Sequence, residues 1–277
     1  GIYPDAITLI CSLNACGCVG AIGLGQEIHI AIEKQGLLKT NLTLGNALID
    51  MYVKYGQFSI ARKVFDDLAC RDVVSWTTLI SGYVEHGYMD RTLECYKEMQ
   101  CEGISPDAST YVCAMKACGN IAAVDKASEI HTEVERSGLL ERDVSVGSTL
   151  VDMYVQCGLI SKAQSVFDKL PVRDVVSWNV LIAGYGKSEK ALTCYRLMQV
   201  EGISPDSFTY VSILNASGAF GKVEKGRMLH KEVVMRGLFE CNIVVGNALL
   251  DMYAKCDSLL EVQKVFDSLP IRDVISW

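Results

Sequence analysis

The chain has 277 residues, half of them hydrophobic. No apolar run approaches the roughly 18 residues that span a bilayer, so the chain reads as soluble. A net charge of −7 excludes a general electrostatic pull toward nucleic acid; any such partner must be met by local geometry and a few placed cations. Twelve cysteines in a chain that is neither small nor loop-rich do not describe a disulfide framework.

Read along the chain, the sequence repeats itself. RDVVSW stands at 71–76 and 173–178, and RDVISW at 272–277, so the copies start 102 and then 99 residues apart. ALIDMYVKYG (47–56) matches TLVDMYVQCG (149–158) and ALLDMYAKCD (248–257). ARKVFDDL, AQSVFDKL and VQKVFDSL follow at matched spacing, and MQCEGISPD (99–107) matches MQVEGISPD (198–206). A period of 102 residues divides into subunits of 36, 31 and 35, sizes typical of solenoid repeats.

The units follow one another in a fixed order. Residues 1–5 read as the end of a truncated copy. Then come 6–41 (long), 42–72 (short), 73–107 (standard), 108–143 (long), 144–174 (short), 175–206 (standard), 207–242 (long) and 243–273 (short). Residues 274–277 read as the start of another copy. The second standard unit has GYGKSEKAL where the first has GYVEHGYMDRTL, a loss of three residues that accounts for the spacing of 99.

Each unit is predicted to be two helices. Ala61, Val64, Phe65 and Leu68 form an i, i+3, i+4, i+7 stripe, repeated as Ala163, Val166, Phe167, Leu170 and as Val262, Val265, Phe266, Leu269. Gly56 and Gly158 fall where a first helix should stop. Pro106, Pro171, Pro205 and Pro270 fall at unit ends, where a helix cannot continue. One hairpin cannot bury its own apolar face, and a stack of them can. The predicted fold is an all-α solenoid of helix-turn-helix repeats.

VVSWNVLIAGY, NALIDMYVKYG, ARKVFDDL and EGISPD resemble the pentatricopeptide repeat family, in its plant-type variety with alternating long, short and standard repeats. The resemblance covers essentially the whole chain, and the 36–31–35 order separates it from tetratricopeptide repeats of uniform length. It implies a right-handed superhelix that binds single-stranded RNA, one base per repeat, the fifth and last residues of a repeat reading the base edge. Carried onto this chain, Asn46 with Asp72 implies uridine, Thr77 with Asp107 guanosine, Ser148 with Asp174 a purine, Asn179 with Asp206 uridine, and Asn247 with Asp273 uridine. The long repeats place Ile10, Val112 and Val211 at the fifth position, and these cannot hydrogen-bond a base. The implied target is N-U-G-N-R-U-N-U, 5′ to 3′. Val74, Val176 and Val244 hold the second position, where apolar side chains sandwich each base. Lys54, Lys187 and Lys255 fall where the family often contacts phosphate, although Glu85 and Gln156 hold the matching position elsewhere.

Other readings stand beside this one. Asn46 and Asn247 can be read as helix residues bonding their own backbone, and the terminal aspartates as simple N-caps. His131-Thr132-Glu133 and His230-Lys231-Glu232 satisfy the H-x-E half of a zinc deaminase signature. His29 holds the same place with Ala31 instead of Glu, and no C-x-x-C exists to complete a metal site. No metal or other cofactor is therefore expected, and these histidines are expected in helix packing. The cysteines recur in register (Cys11/Cys113, Cys16/Cys118, Cys95/Cys194, Cys157/Cys256) and exchange with Ser212, Ser217 and Tyr55, as packing residues do.

The alternating variety resembles organellar factors, in mitochondria or chloroplasts, that specify cytidine-to-uridine editing sites. In those factors the deaminase is a C-terminal extension, which this chain is expected to lack. The partners expected are single-stranded RNA and proteins of an editing complex, with no membrane and no small-molecule substrate. The rival is a protein-binding scaffold of the tetratricopeptide type.

Overall fold

Eight times among the described residues an Asp or Asn in extended or near-extended backbone opens a helix, its side chain accepting backbone N–H groups of the first turn. The residues are Asp5, Asn41, Asp72, Asp107, Asp143, Asp174, Asp206 and Asn242. In this computed structural model, which describes residues 4–221 and 223–276, the helices they start alternate with partner helices. Residues 1–3 of the opening partial unit and Trp277 of the third hexapeptide lie outside the described residues.

Two compact units divide the chain, residues 1–137 and 138–277. The first holds α1 (Ala6–Val19), α2 (Ile22–Lys34), α3 (Leu42–Lys54), α4 (Phe58–Asp66), α5 (Val73–Glu85), α6 (Met89–Cys101), α7 (Ala108–Asn120) and α8 (Val124–Ser137). The second holds α9 (Val144–Gln156), α10 (Ile160–Lys169), α11 (Val175–Tyr185), α12 (Glu189–Val200), α13 (Ser207–Ala219), α14 (Val223–Met235), α15 (Leu238–Cys241), α16 (Ile243–Lys255) and α17 (Leu259–Ser268). Short 3-10 turns at Leu37–Lys39 and Leu139–Glu141 precede α3 and α9, and α15 takes the equivalent place before α16. Among the described residues every regular element is helical, and no helix is long and apolar enough to cross a membrane.

Within the first unit α1, α3, α5 and α7 stack side by side as one layer, and α2, α4, α6 and α8 pack against them as a second. The second unit repeats this with α9, α11, α13 and α16 in one layer and α10, α12, α14 and α17 in the other. The core runs between the layers. Ala61, Val64, Phe65 and Leu68 are all buried, as are Ala163, Val166, Phe167 and Leu170. In the third copy Val265 and Leu269 are buried while Val262 and Phe266 are half-covered, because no helix packs beyond α17 among the described residues. The first-layer helices approach closely: a Cβ on Gly82 would lie 2.0 Å from Val53 Cγ1, so only glycine fits there.

The recurring hexapeptide is a joint. Arg71 lies over the Phe65 ring, 4.9 Å from its centroid, and donates to the Phe65 and Asp66 carbonyls at 3.1 Å each, closing α4. Asp72 caps α5, with Ser75 completing a capping box. Trp76 then meets Phe65 edge-on at 4.5 Å between centroids and donates its indole N–H to Glu102 at 3.1 Å. Arg173, Asp174, Ser177 and Trp178 rebuild this joint around Phe167. Arg272 again covers Phe266, at 4.6 Å.

The three-residue deletion is absorbed by the helices on either side of the turn, which keeps three residues in both units. α11 has 11 residues where α5 has 13, and α12 has 12 where α6 has 13. The helix-start geometry at both ends of the shortened unit survives, since Asp174 and Asp206 still cap.

Gly56 and Gly158 stop α3 and α9 in the left-handed region, at φ 67° and 73°. Asp257 occupies the equivalent slot after α16 with φ 54°, a conformation that a side chain resists. Asp257→Gly is therefore expected to stabilise the second unit by up to about 1 kcal/mol, read as a higher urea midpoint at unchanged slope.

Candidate RNA-reading surface

The second and fifth residues of a first-layer helix lie three apart, on one face of its first turn. Val74 and Thr77 share α5 in this way, Val176 and Asn179 share α11, and Val244 and Asn247 share α16. The three valines are 52%, 52% and 57% exposed, unusual for helix-start valines in so well covered a fold. Phe208 holds the same position in α13 and is 55% exposed. The sequence reading passes over it because its repeat carries Val211 at the fifth position, but counting to the second residue of each unit finds it.

The fifth residues of the short and standard repeats sit deeper, beside the aspartate that closes their repeat. Asn179, 7% exposed, donates its amide to both carboxylate oxygens of Asp206 at 3.0 and 3.1 Å. Asn247 does the same to Asp273 at 3.1 and 3.2 Å. Ser148 donates to Asp174 Oδ1 at 3.1 Å. Asn46 stands close enough to Asp72 to help hold its carboxyl below the usual range. Thr77 reaches Asp107 through a third residue, its hydroxyl lying 2.7 Å from Thr110 Oγ1, which donates to Asp107 Oδ1 at 2.7 Å. The structure thus brings together the members of all five pairs: three through a direct hydrogen bond, Thr77 and Asp107 through a relay, and Asn46 and Asp72 by proximity.

The N-cap reading and the pairing are not rivals. The Asp206 carboxylate accepts the Thr209 backbone N–H at 2.9 Å while holding Asn179. Burial pushes its acidity down, but the Thr209 backbone and side chain and the Asn179 amide outweigh that, and the carboxyl stays below its usual range. Asp72 is held low in the same way by Ser75 and Asn46. At Asp273 the Ser276 hydroxyl contributes most. The long repeats offer Ile10, Val112 and Val211 at the fifth position, all half-buried.

The cationic positions are less free. Lys54 Nζ lies 2.7 Å from Asp50, one helical turn earlier, and this bond raises its pKa. Lys255 is paired with Asp251 in the same way. Gln156 spans the same turn to Asp152 at 2.6 Å. Lys187 is exposed in the turn between α11 and α12. Such exposed pairs hold weakly, so a phosphate can compete for the two lysines.

The H-x-E residues lie elsewhere and are engaged. Glu133 takes the Tyr96 hydroxyl at 2.5 Å and the Gln100 amide at 2.8 Å, tying α8 to α6. Glu232 takes the Tyr195 hydroxyl, and that of Tyr210 at 3.3 Å. His29 and His230 face Tyr52 and Tyr253 at 2.9 and 3.1 Å. Among the described residues no cluster of three or more His, Cys, Asp or Glu could hold a metal. Cys16, Cys95, Cys118 and Cys194 are buried, and burial pushes the Cys95 and Cys194 thiols up to about 11.

Burial holds the His230 imidazole below its usual range. A base depressed in the fold is protonated more readily when unfolded, so its contribution is intact above pH 6.5 and lost as pH falls. The melting temperature is expected to decline from about pH 6.5 toward about 5, and His230→Gln to reduce that slope.

Comparison with known proteins places these features. Family models described as the PPR repeat family and the PPR repeat match residues 71–120 and 173–218, and 46–73, 148–175 and 208–238, together more than half of the chain. The chain belongs to the pentatricopeptide repeat family. A chloroplastic pentatricopeptide repeat-containing protein of Arabidopsis thaliana is 34% identical over 277 residues, covering 99% of this chain and 44% of that protein. A mitochondrial one from the same plant is 37% identical over 268 residues, covering 96% of this chain and 42% of that protein. The chain spans about a third to a half of the length of the curated pentatricopeptide repeat proteins it matches. The solved structure of the pentatricopeptide repeat protein PPR10 in complex with an 18-nt psaJ RNA element superposes with a TM-score of 0.78 at 17% identity, covering 96% of this chain and 40% of PPR10. PPR10 from maize superposes at 0.58 and 20% identity, covering all of this chain and 45% of that one. At these identities the likeness is one of fold: the repeat solenoid.

Proposed function

We propose that this chain binds single-stranded RNA by sequence, each short or standard repeat reading one base. The observation that carries the proposal is the repeated carboxylate-held fifth residue, best formed at Asn179–Asp206 and Asn247–Asp273. A carboxylate grips one side of each amide and leaves one N–H and one oxygen lone pair free, which matches the alternating donors and acceptors of a base edge. Exposed Val74, Val176 and Val244 on the same helix faces supply apolar contacts for the bases. The RNA-bound state of PPR10 supports RNA as the partner.

The finer reading is that the repeats are of the alternating long, short and standard variety and that the target is N-U-G-N-R-U-N-U. The chain then serves as the recognition part of an organellar RNA-processing or C-to-U editing factor, beside proteins of an editing complex. Chloroplastic and mitochondrial relatives support the organellar setting. Catalysis is assigned elsewhere than this chain, because its H-x-E glutamates are committed to tyrosines.

Fluorescence anisotropy at fixed salt, with labelled RNA carrying NUGNRUNU or the same bases scrambled, tests this. A clear preference for the first is expected. Equal weak binding that falls steeply with salt would leave only phosphate contacts, and binding to neither would favour a protein-binding scaffold.

A further inference from the structure

We infer that the hydroxyl three residues beyond each closing aspartate is a positioning residue for base recognition, fixing which edge of the fifth side chain faces the RNA. This rests on the base-reading proposal and deepens it.

The placement of these hydroxyls follows the reading residues. Ser75, Thr110, Ser177, Thr209 and Ser276 follow Asp72, Asp107, Asp174, Asp206 and Asp273, which face polar fifth residues. Leu44, Val146 and Val245 hold the same place after Asn41, Asp143 and Asn242, which close the long repeats whose fifth residues are Ile10, Val112 and Val211. Capping alone does not require the hydroxyl. Asn41 still accepts from Leu44 N at 3.0 Å, Asp143 from Ser145 N at 2.9 Å, and Asn242 from Val244 N at 3.0 Å.

Three of the five hydroxyls, those of Thr110, Thr209 and Ser276, also touch the reading side chains, while that of Ser177 bonds the Asp174 backbone. Thr209 Oγ1 lies 2.5 Å from Asn179 Oδ1 and 2.9 Å from Asp206 Oδ1, and Ser276 Oγ lies 2.7 Å from Asn247 Oδ1 and 2.9 Å from Asp273 Oδ1; each hydroxyl has one proton, and the shorter contact takes it to the amide oxygen. With the carboxylate on its nitrogen and the hydroxyl on its oxygen, each amide has one orientation. A flipped amide would turn its oxygen toward the carboxylate. Flipping exchanges donor and acceptor as seen by the base, so a locked amide separates uracil, with an N3–H donor, from cytosine, with an N3 acceptor. Thr110 acts differently on Thr77. Its single proton goes to Asp107, so the Thr77 proton goes to Thr110. Thr77 then shows the base only lone pairs, which suit the N1–H and amino donors of guanine and not the N1 acceptor of adenine. Asn46 is the internal contrast. The Ser75 hydroxyl donates to Asp72 Oδ1 at 2.8 Å, and Asn46 Oδ1 is buried with no hydrogen-bond partner.

The test measures binding of RNAs that differ at one base, in wild type, Thr209→Val and Thr209→Ser, with melting curves for each. Thr209→Val is expected to cut the preference for U over C at the sixth base about fivefold, the worth of about 1 kcal/mol for one net hydrogen bond. The eighth base, opposite Asn247, should keep its preference, and Thr209→Ser should restore the sixth. Wild type should discriminate less at the second base, opposite Asn46, than at the sixth. Thr110→Val, a second site independent of whether Thr209→Val folds, should erode G over A at the third base. Full preference retained in folded Thr209→Val or Thr110→Val overturns the inference while leaving base reading intact. Wild type without preference at the sixth and eighth bases overturns base reading, and this inference with it.

Discussion

Trp76→Ala is expected to destabilise the first unit by about 3–5 kcal/mol, the range for deleting a large buried aromatic. Trp76 is 1% exposed, meets the Phe65 ring edge-on, and anchors its N–H on Glu102. Glu102 also holds Arg71 at 2.6 Å, so one carboxylate ties the hexapeptide to the end of α6. The two joints differ in a way that sharpens the test. Arg173 keeps its bond to Glu201 at 2.5 Å, but the Trp178 N–H is buried with no hydrogen-bond partner. Trp76→Phe should therefore lose about 1 kcal/mol more than Trp178→Phe, because only the first breaks a hydrogen bond. Urea unfolding reads both. Equal losses at the two sites, or less than about 1 kcal/mol for Trp76→Ala, would contradict this account of the joint.

Asp206→Ala should have the next largest effect, about 2–4 kcal/mol in the second unit. About 1 kcal/mol comes from the lost N-cap of α13, and about 1–3 kcal/mol from leaving the Asn179 amide short of its partner while nearly buried. Asp206→Asn keeps a cap acceptor and should lose less. The sign of the pH dependence follows from the depressed carboxyl. Its contribution is present above the unfolded value near 3.8 and is lost as pH falls through the lower folded value. The gap between wild type and Asp206→Ala should thus hold across neutral pH and close only in strong acid. A loss confined to RNA binding, with no change in unfolding, would show that the carboxylate does not cap.

Much of this was readable before any coordinates. The VFD stripe at helical spacing places Phe65 and Phe167 inside, and Gly56 and Gly158 mark the stops of the first two DMY helices. Asp257 shows why such a stop can go unseen: the slot, and not the residue type, sets the left-handed turn. The pairing partners were legible only through the family resemblance, because residues 26 to 30 apart in sequence meet through hairpin packing that local periodicity does not describe. The Ser or Thr after each aspartate looks like an ordinary capping box in sequence. Its second contact, across to the preceding repeat, needs the distance between neighbouring helices, as in Thr209 to Asn179. The loss of lysine freedom to Asp50 and Asp251 is an i, i+4 pattern, visible in the sequence once those helices are granted.

The most direct test of base reading is a swap at one pair. Wild type and Thr77→Asn would be titrated by anisotropy, at one salt concentration, with target RNAs carrying G or U at the third base. Wild type should prefer G, and Thr77→Asn should prefer U, each by about 1–3 kcal/mol, the worth of a good base contact. An unchanged preference in Thr77→Asn, or the same affinity for both RNAs in both proteins, would contradict recognition through the fifth residue and its aspartate.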